Sequence, residues 1–219
     1  MILINGITFI VSGVEYHSWD DFHLIRTEKS IGKAKVKKYE VDIEGADGVL
    51  DFTEYFGEPK YENRPLSFSF ECIEKQDTFD DLYSDIQNAL HGQKGKIILD
   101  DDADFYYVGR IDVNDWKSDK SIGKIVIDVD AEPYKYNIDE TVVENTVTGT
   151  QTLTYSNLRK AVVPTIKTTG SVQIVFGDTS WNIDAGTYKM PELQFVKGDN
   201  VLTVTGNATI TVTYQEGGL

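Results

Sequence analysis

The chain contains a single cysteine, Cys72, so no intrachain disulfide can form and cysteine count implies no compartment. Histidine is nearly as scarce. His17, His23 and His91 are the three, and none stands in an HxH or HxxxH spacing. Metal ligation and acid–base catalysis by histidine therefore have no support in the pattern. No apolar run reaches 18 residues, so nothing is expected to span a membrane. Met1-Ile2-Leu3-Ile4-Asn5-Gly6 lacks a basic start and a long apolar stretch, so it is not read as a signal peptide. There is no phosphate-binding glycine loop and no Gly-x-Ser-x-Gly elbow. Positive charge is also short: 21 Lys and Arg stand against 36 Asp and Glu, a formal −15 with a pI near 4.5. Gripping a phosphate backbone relies on counterion release by clustered cations, and this balance argues against it. The local run Lys33, Lys35, Lys37 and Lys38 is the exception and reads as a solvated strand face.

What remains is a β-rich chain of 219 residues with 40% hydrophobic content, enough for one large domain or two small ones. Pro is scarce, and Thr and Val crowd the last third. One segment breaks the β texture. In Thr78–Gly92, Phe79, Leu82, Tyr83, Ile86, Ala89 and Leu90 recur at three- and four-residue steps, which places them on one helical face. Thr78 is a candidate N-cap with Asp81 as the capping-box acid, and Gly92 sits where a left-handed C-cap belongs. The helix is expected to cover an open sheet face, with His91 favourable at its C-terminus.

Elsewhere the signals are strands and turns. Asn5-Gly6 predicts a hairpin turn within 2–11, and Trp19–Ile25 an extended piece. Tyr39, Val41 and Ile43 alternate with Lys38, Glu40 and Asp42, which predicts a half-buried strand before the turn Gly45-Ala46-Asp47-Gly48. Asp51–Gly57 reads as a compact loop or single helical turn. Pro65 opens a strand over Leu66–Ile73, in which Phe68, Phe70 and Cys72 point into the core. Lys96–Leu99 and Tyr106–Arg110 form a hairpin around Asp100-Asp101-Asp102-Ala103-Asp104, and Ile111–Trp116 continues its second arm. That acidic turn lacks the central Gly and distal Glu of an EF-hand, so it is read as a solvated tip. Lys120-Ser121-Ile122-Gly123-Lys124 repeats Lys29-Ser30-Ile31-Gly32-Lys33, and each copy is expected to lead into a strand.

Near residue 140 the texture shifts to Thr, Val and Asn, which divides the chain into 1–138 and 139–219. The second part reads as short strands over Thr152–Asn157, Val163–Thr168, Val172–Phe176, Thr179–Ile183, Thr187–Lys189, Gln194–Val196, Asn200–Thr205 and Thr209–Tyr214, punctuated by Gly170, Gly177, Gly186, Gly198 and Gly206. Turn signals at that interval predict a small antiparallel sandwich. Trp181 is either its large central core residue or a sugar-stacking platform, with core burial favoured by the neighbouring Ile183. No spacing marks a pair of catalytic carboxylates. Catalytic, cofactor-binding and metal-ligating residues are thus all read as none, and a non-enzymatic assembly or binding protein is expected.

Taken together, the segments resemble the distal tail protein family of long non-contractile-tailed bacteriophages and related prophages. The resemblance is carried by Gly45–Asp51, Tyr61-Glu62-Asn63-Arg64-Pro65-Leu66-Ser67-Phe68-Ser69-Phe70, the helix ending Leu90-His91-Gly92-Gln93-Lys94, Tyr106-Tyr107-Val108-Gly109-Arg110 and Ala131-Glu132-Pro133-Tyr134. A weaker match covers Val163-Pro164-Thr165-Ile166 and Lys197-Gly198-Asp199-Asn200 through Gly206. It implies a mainly β chain: an N-terminal β-sandwich or barrel-like domain with one covering α-helix, then a galectin-like sandwich. It further implies a hexameric ring at the virion tail tip, made in the bacterial host cytoplasm. Residues 1–138 would form the ring and contact the tail tube protein and the tail-associated tip protein. Residues 139–219 would point outward toward receptor-binding or baseplate components, with DNA only passing through the lumen. No cofactor and no membrane insertion are implied. The alternative is a carbohydrate-binding β-sandwich module using Trp181.

Overall fold

Alternation with period two is what most of these residues obey, and the sheets follow from it. The computed structural model describes residues 5–55, 57–72, 79–119 and 122–219. Expectations touching Met1–Ile4, Phe56, Ile73, the Thr78 cap and Lys120-Ser121 lie outside them. The chain divides into two units, Met1–Lys135 and Tyr136–Leu219.

In the first unit the strands are β1 (Ile7–Val11), β2 (Val14–His17), β3 (Ile25–Ile31), β4 (Glu40–Asp42), β5 (Val49–Asp51), β6 (Arg64–Cys72), β7 (Lys94–Leu99), β8 (Phe105–Val113), β9 (Lys117–Asp119) and β10 (Ile122–Ala131), with helix α1 (Phe79–Leu90) between β6 and β7. The main sheet runs β2-β1-β7-β8-β10-β6-β3, antiparallel throughout, and β9 pairs β10. Leu66, Phe68, Phe70 and Cys72 of β6 face inward beside Ile125, Ile127 and Val129 of β10 and Ile111 and Val113 of β8. Phe79, Ile86 and Leu90 bring one face of α1 into the same core, with Leu82, Tyr83 and Ala89 half-buried at its margin. Each such side chain removed from water contributes roughly 1.5–3 kcal/mol before entropy is charged against it. Gly92 ends the helix at φ 73°, and its N–H donates to Ile111 O at 2.9 Å, so the C-cap passes the chain directly to β8.

Four local expectations differ from what is found. The hairpin turn is Ser12-Gly13, at φ 51° and 83°, while Asn5-Gly6 only leads into β1. That two-residue left-handed turn fits the twist of β1 and β2. Residues 19–22 form turns instead of an extended piece, and strand structure starts only at Ile25. The first Lys-Ser-Ile-Gly-Lys copy ends β3 while the second opens β10, and the two flank β6 near opposite ends. Finally, β4 is exposed on both faces: it pairs only with β5, with Val41 opposite Leu50, and Tyr39, Val41 and Ile43 are uncovered. Alternation marks an apolar face but does not say that this chain covers it.

The β4–β5 ribbon is the far part of an arm that leaves the sheet at Gly32 and returns at Asn63. Its root is tied. Gly32 N donates to Pro65 O at 2.8 Å, Arg64 Nε donates to Gly32 O at 2.8 Å, and Asn63 Nδ2 donates to Asp130 at 2.9 Å. A Cβ on Gly32 would lie 2.7 Å from Pro65 O, so the close approach requires glycine.

The second unit follows β11 (Lys135–Asn137) with β12 (Thr141–Asn157), β13 (Thr165–Thr168), β14 (Val172–Phe176), β15 (Thr179–Ile183), β16 (Gly186–Lys189), β17 (Gly198–Tyr214) and β18 (Gly217–Gly218). Here β12 and β17 are single strands of 17 residues paired over their full length, where the sequence suggests shorter pieces. Gly206, read as punctuation, stands directly opposite Gly149 inside the ladder. On its other edge β17 pairs β14 up to Gly206 and β13 from Ile210, so the partner changes just past the glycine. Residues 194–196 give only an isolated bridge, Val162 to Phe195. The core gathers Tyr155, Ile166, Ile174, Leu193, Phe195, Val204, Val212 and Tyr214, with Tyr155 stacked on Phe195 at 5.5 Å and Tyr214 edge-on to it at 5.2 Å. Burial pushes the Tyr155 hydroxyl up to about 12, against the hydrogen bond from Asn145.

Candidate assembly surfaces

The acidic turn comes first, because the structure changes its meaning. Asp100–Asp102 is a short 3-10 turn between β7 and β8, and its carboxylates reach three different segments. Asp100 accepts from Gly6 N at 2.7 Å, with His17 Nε2 3.3 Å away. Asp101 accepts from Arg26 at 2.8 Å and Lys29 at 2.6 Å, pairing the turn with β3. Asp102 accepts from Lys135 at 2.8 Å. Burial raises the Asp101 pKa, but hydrogen bonds from Lys29 and Arg26 outweigh it and hold the group below its ordinary value. The turn is largely solvent-exposed, as expected of a tip, and its carboxylates also make it an ion-paired clasp.

The polar side of the main sheet is the second surface. Residues alternating with the core present Ser67, Asp112, Asp128 and Asp130 away from it, and Asp112 and Asp128 are directly opposed across β8 and β10. Two open grooves lie there and share His91 and Asp112. One, of about 920 Å³, is lined by Tyr83, Gln87 and His91 of α1 together with β3, β6, β8 and β10. The other, of about 550 Å³, lies over β6, β8 and β10 with Ser67, Asp112, Asp128 and Asp130 around it, while the side chains of Leu66, Ile111 and Val129 beneath it face the core. Asn114 Nδ2 donates to Asp128 at 2.7 Å, and His91 Nδ1 accepts from Val113 N at 3.1 Å beside Asp112 at 3.3 Å. His91 thereby links the end of α1 to β8. This is a hydrogen-bonding, anionic surface suited to contact with a cationic or polar partner.

The histidines are separated. His17 is at the clasp, His23 sits edge-on to Trp19 at a centroid distance of 5.8 Å, and His91 is in the grooves. Among the described residues no group of three or more His, Cys, Asp or Glu has metal-holding geometry. Cys72 is fully buried against the core, as its place in the alternation of β6 dictates.

In the second unit Trp181 lies on β15 opposite Ile174 of β14, half-buried and packed on the core, which is the burial that Ile183 suggested. The Lys197-Gly198-Asp199-Asn200 stretch has a structural explanation that spacing alone did not give. Gly198 turns at φ 90°, and the buried Asn200 amide accepts from Val196 N at 2.8 Å and donates to Val196 O at 2.9 Å and Gly198 O at 3.0 Å. One side chain thereby satisfies a turn that has no ladder of its own.

No protein-family model matches the chain, and no curated protein matches it. Among solved structures it is similar to the crystal structure of the Dit protein (gp 19.1) of SPP1, described as a paradigm of the hub adsorption apparatus in phages infecting Gram-positive bacteria. The TM-score is 0.68 at 16% identity, covering 97% of this chain and 99% of that one. Identity this low speaks for architecture, and the coverage includes both units. The chain has the fold of that Dit protein.

Proposed function

We propose that this chain is the hub subunit of a phage or prophage tail tip, a member of the distal tail protein family. Six copies would close into a ring joining the tail tube to the tip protein and to receptor-binding or baseplate components. The observation that carries this reading is the fold correspondence over nearly the whole of both chains. The first unit, with its exposed arm and anionic grooves, is assigned to ring formation and tube contact, and the second to outward attachment. The role is structural, not enzymatic. The alternative, a sugar-binding module stacking on Trp181, gains nothing from a ring that is packed on the core.

The acidity fits this role. Six copies at −15 each carry a formal −90, and a lumen walled by carboxylates lets DNA slide without sticking. A ring whose lumen was lined mainly by Lys and Arg would refute that part. The direct test is mass photometry with negative-stain imaging of the purified full-length chain. A closed particle of six copies is the expected result, and a chain that stays monomeric at high concentration overturns the self-assembling ring.

A further inference from the structure

The second unit leaves one long sheet edge unprotected. Strand β12 pairs β17 over all 17 residues without a register shift, and among the described residues no strand pairs its other side. Exposed edges are ordinarily blunted by shortness, charge or proline. The other edge strands of the two larger sheets follow that rule. β2, β15 and β16 have four, five and four residues, and β3 carries Arg26, Glu28 and Lys29. β12 has one charged residue, Glu144, and no proline.

The ladder decides which backbone groups face that edge. Thr169 N donates to Thr209 O at 3.1 Å and Thr209 N donates to Thr169 Oγ1 at 2.9 Å, so the backbone of Thr209 faces away from β12. In an antiparallel pair the residue opposite, Thr146, then faces away from β17 as well. Gly149 N and Tyr155 O, at odd positions, bond instead to the Asn207 and Asn200 side chains of β17. The even positions from Val142 to Thr154, five of them threonine, therefore aim N–H and C=O at the free edge, and all are exposed. At odd positions Val143 and Leu153 lie half-buried at the margin of the core.

We propose that β12 pairs antiparallel with β12 of a second copy about a two-fold axis at Thr148, extending both sheets. This register sets Val143 of each copy opposite Leu153 of the other, so each core-margin side chain is covered by an apolar one. Moving the axis by one residue sets the two against Gln151 and Thr141, or against Tyr155 and Asn145. On the outer face Thr146 meets Thr150, Thr148 meets its own counterpart and Glu144 meets Thr152, so no like charges are opposed. The occupant is a second copy because the edge is complementary to itself. The charge that keeps copies apart also lies mostly elsewhere: residues 136–219 hold 8 acids against 5 Lys and Arg, a formal −3 of the −15. Only Val143 and Leu153 of each copy gain apolar cover, so the pair is weak and forms at high protein concentration, while dilution separates it. A two-fold axis cannot relate neighbours in a six-fold ring, so the contact joins copies of different particles and does not depend on the ring.

The test is oxidative cross-linking of full-length cysteine variants with copper–phenanthroline at high protein concentration, read on non-reducing gels. Cys72 is fully buried and does not compete. Residues opposed in a hydrogen-bonded pair lie about 5.5 Å apart at Cα, within disulfide reach. Thr148→Cys is expected to cross-link with itself. Thr146→Cys, more than about 13 Å from its own counterpart, is expected to cross-link only when mixed with Thr150→Cys. Adding Thr152→Pro to Thr148→Cys removes an N–H that faces the free edge, where proline is tolerated. It is expected to keep the circular dichroism and to cut cross-linking at least tenfold. No covalent pair from folded Thr148→Cys, equal cross-linking of Thr146→Cys alone, or pairing that survives Thr152→Pro overturns the contact. Rings without the Thr148 cross-link overturn this contact and leave the ring reading standing; a cross-link in a chain that never forms rings does the reverse.

Discussion

At the scale of single residues, Asp101 shows both what a sequence conveys and what it withholds. Five residues rich in aspartate between two strands were legible as a turn, and the strands on either side were legible from alternation. Its partners were not, because Arg26 and Lys29 lie 75 and 72 positions away. Local spacing carries no information about which distant cation will be folded onto a turn. Arg26 is only 6% exposed in its side chain, so removing the carboxylate strands a nearly buried guanidinium. Asp101→Asn is therefore expected to cost about 1.5–3 kcal/mol at neutral pH, the range for hydrogen bonds to charged groups. The folded pKa lies below the ordinary 3.8 despite the opposing push of burial, because Lys29 and Arg26 prevail. A lowered carboxylate stabilises the fold above its unfolded pKa and stops doing so as pH falls through the folded value. The gap between wild type and Asp101→Asn in urea midpoint should thus be full at pH 7 and close as pH falls below the ordinary carboxylate value of 3.8. A gap that did not change with pH would show that the clasp works by packing alone.

Whole elements were legible where one periodicity ran unbroken and had its partner nearby. Helix α1 shows this: its buried Phe79, Ile86 and Leu90 and its left-handed Gly92 are the positions its pattern marked. The inward faces of β6 and β10 show it too. The long ribbon of β12 and β17 was broken into pieces because glycine in a strand reads as an end, whereas here it marks a crowded point within the ladder. A Cβ at Gly206 would stand 2.8 Å from Ser171 O and 2.8 Å from Val172 Cγ1, and a backbone oxygen cannot swing aside. Gly149, facing it, has open space but a φ of 73°. The two glycines are needed for different reasons, and the difference is measurable. Gly206→Ala is expected to destabilise by about 1–3 kcal/mol through overpacking. Gly149→Ala should cost about 1 kcal/mol through left-handed strain alone. Denaturant midpoints of the two variants check the order. A harmless Gly206→Ala would mean that β17 can shift past β14 without loss.

For the whole molecule, the decisive quantity is net charge, and it bears on how copies meet. Two chains of −15 have a charge product of 225 (15 × 15). At a separation of roughly 30 Å, the unscreened repulsion in water is on the order of 30 kcal/mol, cut to about 10 at 0.01 M salt and to less than about 1 at 0.15 M. Ion pairs at contact between oppositely charged side chains of two copies behave differently. At about 4 Å each contributes roughly 1 kcal/mol in water, and screening over so short a distance removes less than about half of it at 0.15 M. The long-range term therefore falls with salt far faster than the contact term, and the apolar strip along Tyr39, Val41 and Ile43 is not weakened by salt at all. Raising ionic strength from about 0.01 to 0.15 M is then expected to increase the assembled fraction, which is opposite to the response of a complex held by surface ion pairs alone. Sedimentation velocity across that range at fixed protein concentration reads the effect directly. Assembly that dissolved on going to 0.15 M would mean that ion pairs, and not the exposed apolar face of the arm, hold the copies together.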